Sequence, residues 1–286
     1  MAHQRYLFRN ANQASPRLAF AQSYWALQER EQSIEESLER ACASGFEYLE
    51  AGLRDERMAP LRSILKRMPL TLIAQGWAST VQEATVFFQR AVELGAVAMN
   101  LHLGHAYLKD EDALRMVDEA YALSERFNLP LVLETHRGRL TQDLHRTRML
   151  MQQRPHVRIA LDVSHYLVAG ETLGGNATEF YAALAPLLQA TKLIHGRISN
   201  GQQIQVSTAH VDAVGFTKSI WQQAMAAWLS DAPQDAVLIF EPELGPPPYA
   251  YLDEDCAETF SRSGQTNELV RLAREAWDAA QKREMA

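Results

Sequence analysis

The stretch LVLETHRGRLTQD, residues 131–143, decides the fold. Leu131, Val132 and Leu133 run without a polar break into Glu134, and Thr135, His136 and Arg137 follow. A run that is apolar at successive positions is buried on both faces, as strands are in a parallel sheet flanked by helices. The same ending, an apolar run closing on an ionisable side chain, recurs three times. It is found at Asp162 in RIALDVSHY, at His195 in TKLIHGR and at Glu241 in AVLIFEPELG. The intervals are 28, 33 and 46 residues. A βα unit is about 30 residues long, so the four residues end successive strands, with the loop 196–211 absorbing the excess in the last interval.

Outward from this stretch, strands are predicted at 17–22, 46–51, 70–75, 97–102, 130–134, 158–162, 191–195 and 236–241. Amphipathic segments separate them. EQSIEESLERACASG (31–45) sets Ile34, Leu38 and Ala41 on one helical face and closes on Gly45. STVQEATVFFQRAVELG (79–95) opens with Ser79 and Thr80, and DEDALRMVDEAYALSERFN (110–128) is acidic at its start. The segment 266–281 is the plainest amphipathic helix. Eight such alternations predict a single (β/α)8 TIM barrel over residues 1–286, with its active site at the C-terminal ends of the strands. The loops 196–211 and 242–265 both follow candidate site strands, and Pro246, Pro247 and Pro248 stiffen the second.

Composition narrows the function. The chain has 286 residues, a net charge of −7 and 47% hydrophobic residues. Its acidic balance disfavours a nucleic-acid partner. No apolar run approaches a membrane span, and MAHQRYLFRNANQ has no apolar signal core. Cys42 and Cys256 give no disulfide framework, so a cytoplasmic protein is expected.

Three carboxylates and an imidazole at the ends of consecutive barrel strands face one pocket. They repel unless a cation sits between them. Glu134, Asp162, His195 and Glu241 therefore predict one divalent ion, of Mn, Mg, Co, Fe or Zn. Glu243 has the parity of Glu241, but Pro242 is expected to end the strand, which favours Glu241. His102 has inward parity with Asn100 and is expected to bind substrate. Gln75 and Glu50 end strands and are expected to line the pocket, with Trp77, Tyr24 and Trp25 as aromatics at its mouth. Arg137 suits a substrate carboxylate or phosphate, and Arg197 is a further polar candidate. Tyr249 and Tyr251 suit a lid or a subunit contact.

LDVSHY, with Asp162 three residues before His165 at the end of an apolar strand, is the most specific motif. With the strand order and the other strand ends, it resembles the xylose-isomerase-like barrels over most of the chain. That broad family holds sugar isomerases, ketose epimerases, inosose-dehydratase-like lyases and the endonuclease IV group. The resemblance implies Glu134, Asp162, His195 and Glu241 as metal ligands and His165 as a substrate contact. It also implies Glu134 and Glu241 as the catalytic pair that removes and returns a proton beside a carbonyl, through an enediolate. The chain departs from the His-x-x-Asp-x-x-Arg pattern of many family epimerases: in His195-Gly-Arg-Ile-Ser-Asn-Gly, Ile198 stands for the Asp and Gly201 for the Arg. Gln75 stands where the nucleases want a His. The expected function is a metal-dependent isomerase or epimerase of a small keto-sugar, polyol or sugar acid. The alternative is dehydration of a keto-cyclitol or keto-sugar; a nuclease or a non-catalytic binding barrel ranks behind. Related barrels often pair, so the resemblance allows a homodimer.

Overall fold

The computed structural model describes residues 7–10, 14–27, 33–174 and 177–284. Glu31 and Gln32, expected to begin the first helix, lie outside the described residues, as does most of the N-terminal stretch. The chain begins with β1 (Phe8–Arg9), β2 (Arg17–Ser23), α1 (Ile34–Ala43), β3 (Tyr48–Gly52), α2 (Asp55–Arg67) and β4 (Thr71–Ala78). It continues with α3 (Val81–Glu93), β5 (Ala98–Leu103), α4 (Asp110–Arg126), β6 (Leu131–Glu134), α5 (Leu144–Gln153) and β7 (Ile159–Leu161). The remainder is α6 (Ser164–Gly170), α7 (Ala177–Ala190), β8 (Thr191–Gly196), α8 (Val211–Leu229), β9 (Ala236–Pro242) and α9 (Arg262–Glu284). No helix among the described residues is long and apolar enough to cross a membrane.

Strands β2 to β9 are parallel, each beside the next, and β9 pairs back onto β2, with Leu18 opposite Leu238 and Phe20 opposite Phe240. This is a closed (β/α)8 barrel, and every predicted strand is present. The short β1 was not expected. It lies antiparallel on β9, with Phe8 opposite Val237, and two residues are too few to show a period.

The strand period of two divides the core. Ala19, Ala21, Ile73, Ala98, Val132, Ala160, Leu193 and Ile239 fill the barrel interior, with Phe8 and Tyr48 packed against them. Residues of opposite parity, such as Leu101, Leu133, Leu161, Ile194 and Phe240, join the layer between strands and helices. Helix starts are capped by side chains, Thr80 accepting from Glu83 N at 3.2 Å and Asp143 from Arg146 N at 2.7 Å.

Gly196 ends β8 where a Cβ would lie 2.2 Å from Phe240 Cζ. Phe240 is fully buried against Trp221, at 4.9 Å between ring centroids. Gly196→Ala is therefore expected to destabilise the barrel by about 1–3 kcal/mol through overpacking, read as a lower urea midpoint. An unchanged midpoint would mean that Phe240 swings aside freely.

Candidate metal centre and active site

Two residues beyond each interior apolar position, the same parity brings polar side chains to the barrel mouth. Val132 leads to Glu134, Ala160 to Asp162, Leu193 to His195, Ile239 to Glu241, Ala98 to Asn100 and Ile73 to Gln75. Two residues further stand His136, Arg197, Glu243, His102 and Trp77. Two polar tiers thus sit on an apolar plug, and all of these side chains except Gln75 and Trp77 are buried.

Five carboxylates, Glu50, Glu134, Asp162, Glu241 and Glu243, gather around one imidazole and one guanidinium. His195 lies 3.1 Å from Glu243, 3.4 Å from Glu50, 3.6 Å from Glu134 and 3.9 Å from Glu241. Burial disfavours its charge, but Glu134 and Glu50 outweigh burial and hold its pKa well above the ordinary value. Arg197 bridges the other side, with a terminal nitrogen 2.7 Å from Glu243, another 3.4 Å from Asp162, and Nε donating to the Glu243 carbonyl at 3.1 Å.

Glu134 Oε2 accepts from Asn100 Nδ2 at 2.6 Å and lies 2.6 Å from His102 Nε2. Burial raises the Glu134 pKa, but His102 and His195 reverse that and keep it well below the usual range. Burial raises Asp162 to about 6 against the pull of Arg197. Its Oδ1 accepts from Ser164 N at 2.9 Å and Ser164 Oγ at 2.5 Å. Glu241 is raised well above the carboxylate range by burial and by Glu50. Glu243 is lowered, because Arg197 and His195 outweigh its burial.

The cluster fits a divalent cation. Glu134, Asp162 and Glu243 each offer a ligand oxygen, all within 4.8 Å of one another. Glu134 Oε1 is buried and receives no hydrogen bond, and Asp162 Oδ2 is buried with only the 3.4 Å contacts of Arg197 and His165. Orphaned carboxylate oxygens are costly to bury, and a hard cation takes oxygen ligands of this kind. Two further groups, Glu50 with Glu134 and His195, and His102 with Glu134 and His136, meet the same distance condition. Glu134 belongs to all three.

The expected quartet therefore does not meet as one group. Asp162 joins Glu134 and Glu243, whereas His195 joins Glu134 and Glu50. Glu243, not Glu241, joins Glu134 and Asp162. Pro242 ends β9, but Glu243 N still donates to Gly196 O at 3.1 Å, so the ladder to β8 continues one step and carries Glu243 inward. Glu241 lies a tier deeper, near Glu50 and Ser23.

Above the cluster opens a cavity of about 270 Å³. His102, His136, Gln75, Trp77, Arg197, Glu243 and Tyr249 line it, with Trp25, Arg54 and Arg57. Trp77 stacks on His102 at 4.5 Å. Gln75 is committed downward, donating to Glu50 at 2.9 Å. Burial, then His102, lowers the His136 pKa to about 3. Neither Glu134 nor Glu241 is among the residues that line the cavity. His165 is buried beneath it, 4.0 Å from the His136 ring and 3.4 Å from Asp162. Arg137 is exposed outside it, over the Tyr249 ring at 5.0 Å.

The two long loops are clasped: Gln205 Nε2 donates to Gly245 O at 3.2 Å, and Gly245 N to Gln205 Oε1 at 2.8 Å. This holds Tyr249 against Trp25, 5.1 Å away, so Tyr249 forms a cavity wall. Arg54, just before α2, and Arg57, in its first turn, end no strand, so reasoning from strand ends does not single them out. The inward tier of Glu243 and Arg197 was readable by adding two to Glu241 and His195.

No protein-family model matches the chain, and no curated protein matches it. Among solved structures, a xylose isomerase-like TIM barrel protein from Mycobacterium smegmatis, in complex with magnesium, is similar with a TM-score of 0.57. It is 12% identical and covers 92% of this chain and 97% of its own. The fold shared with it is the TIM barrel. The probable 3-DHS dehydratase AsbF from Bacillus anthracis is 16% identical, with a TM-score of 0.46 over 64% of this chain and 74% of its own. A dihydrodipicolinate synthase from Agrobacterium tumefaciens is 14% identical, with a TM-score of 0.47 over 96% of this chain and 78% of its own. At these identities the likeness is one of fold, and chemistry is argued from the side chains of this barrel.

Proposed function

We propose that this barrel is a divalent-metal-dependent enzyme that removes a proton beside the carbonyl of a small sugar derivative, giving isomerisation or epimerisation. The supporting observation is the meeting of Glu134, Asp162 and Glu243, from three separate strand ends, within 4.8 Å beneath a polar cavity. These three would hold the cation, with His195 beside Glu134 and Glu243. A bound divalent cation supplies Lewis-acid polarisation of a substrate oxygen.

The proton is handled by groups that face the cavity. His102 lines the cavity with its Nε2 2.6 Å from Glu134, and a neutral imidazole carries one donor and one acceptor nitrogen. A carboxylate-held imidazole is a suitable general base. Trp77, stacked on it, fixes its plane. Glu243 follows β9 and His102 lies in β5, four strands apart in the eight-stranded ring. Two proton-transfer groups reaching in from opposite walls suit removal on one face and return on the other. In this reading Glu134 orients His102 rather than touching the substrate carbon.

The test is to load the chain with Mn²⁺, incubate it with keto-sugars and sugar acids in D2O, and follow deuterium entry by NMR. Exchange with a rearranged product is expected. Loss of water would move the reading to the dehydratase, and no exchange with any metal would sink it.

Proton linkage gives a second expectation. Asp162 titrates near 6 in the folded chain, against an ordinary 3.8. Folding without metal thus takes up a proton between those values, and that stabilisation is lost as pH rises through the window. A cation needs the ionised form, so below about pH 6 its affinity is expected to fall roughly tenfold per unit. Competition titrations at pH 5, 6 and 7 measure this; a flat profile would mean that Asp162 stays ionised across that range or is not a ligand.

A further inference from the structure

Several of the described arginines on the outer surface pair with carboxylates. Arg62 pairs with Glu93, Arg67 with Glu35, Arg154 with Asp118, and Arg271 with Glu268 and Glu275. In a chain with 35 acidic and 28 basic residues this is unsurprising. Arg54 and Arg57 face the barrel mouth instead. Among the described residues, neither guanidinium has an ion pair within 4.0 Å or a side-chain hydrogen bond, although both line the cavity.

Arg57 is half-buried, with its guanidinium 5.4 Å from the Tyr24 ring centroid. Its Nη1 lies 3.3 Å from where a Cβ on Gly52 would stand, and Gln75 Oε1 lies 3.6 Å from the same point. The absent side chain of Gly52 thus leaves the guanidinium room at the cavity wall. Arg54 precedes α2 and gives it no side-chain cap. Burial, then the like charge of Arg54, lowers the pKa of Arg57, with Glu56 opposing weakly from its exposed position. Two guanidinium groups on one cavity wall, without an ion pair among the described residues, suit a planar or tetrahedral oxyanion.

We infer that Arg54 and Arg57 seat an oxyanion of the substrate, a carboxylate or a phosphate, while its polyol portion reaches His102 and Glu243 in the same cavity. This rests on the proposed function and narrows it: the substrate is a sugar acid or a sugar phosphate, not a neutral polyol. The cavity of about 270 Å³ admits one small molecule, not a polymer.

The full chain, freed of metal by chelator, is titrated with inorganic phosphate and separately with glycolate, followed by the fluorescence of Trp25 and Trp77 in the cavity wall. Saturable binding of at least one anion is expected, and the tighter of the two names the class. Arg57→Gln and Arg54→Gln are each expected to weaken it at least tenfold, and Arg57→Lys to recover part of the loss. Absence of saturable binding, or binding unchanged in both Gln variants, overturns the inference. If Arg57→Gln does not fold, Arg54→Gln at its exposed position carries the test. A Mn²⁺ titration of the same preparations separates the two readings. Stoichiometric metal without anion binding rejects the oxyanion seat alone. Arginine-dependent anion binding without metal rejects the metal reading and leaves the seat standing.

Discussion

Glu134→Gln is expected to strip the divalent cation from the protein and to slow solvent-hydrogen exchange into a substrate by about a thousandfold, with the barrel still folded. Glu134 contributes to every group of close ligand atoms in the barrel mouth. Its Oε2 also receives Asn100 and faces His102, each at 2.6 Å. The amide keeps the shape but removes the charge, and its NH2 turns a donor toward groups that are themselves donors. Cation binding and the orientation of His102 then fail together. Elemental analysis and deuterium exchange read the two losses separately, and far-UV circular dichroism reads the fold. Retained metal with lost exchange would confine Glu134 to orienting His102. Full exchange in the variant would sink the assignment.

Much of this site is legible in the sequence, and the reason is geometric. A parallel barrel repeats one side-chain period eight times, so an apolar interior residue announces polar ones two and four positions on. Val132, Glu134 and His136 are such a series, as are Ala98, Asn100 and His102. What period cannot tell is height. Glu241 and Glu243 share a parity, and only the backbone bond from Glu243 N to Gly196 O shows that the ladder outlasts Pro242. Nor does period report what neutralises a charge. Converging carboxylates alone call for a cation, whereas the barrel already inserts His195 among four glutamates and Arg197 between Asp162 and Glu243. The fit to a metal therefore rests on orphaned oxygens and ligand distances, not on repulsion alone. Arg54 and Arg57 lie outside the strand period, because Arg54 immediately precedes α2 and Arg57 stands in its first turn.

Arg197→Met is expected to lower the melting temperature of the metal-free protein by roughly 6–20 °C, from a loss of about 3–5 kcal/mol. The side chain is 1% exposed. It bonds the Glu243 carbonyl and lies against the Glu243 and Asp162 carboxylates, with Tyr249 4.8 Å and Trp25 5.6 Å from its Cζ. Methionine fills much of the space but leaves two buried acids without their cation, and breaking one side of a buried pair costs more than the pair itself contributes. Arg197→Lys is expected to recover little, since a point charge cannot bond the carbonyl and both carboxylates at once. The metal then becomes informative. Mn²⁺ at saturation should narrow the gap between variant and wild type, because the acids left bare are those expected to hold it. A variant that melts with the wild type would mean that Asp162 and Glu243 neutralise themselves by taking protons. A gap that Mn²⁺ leaves unchanged would separate the arginine from the metal centre and make it only a strut beneath Trp25 and Tyr249.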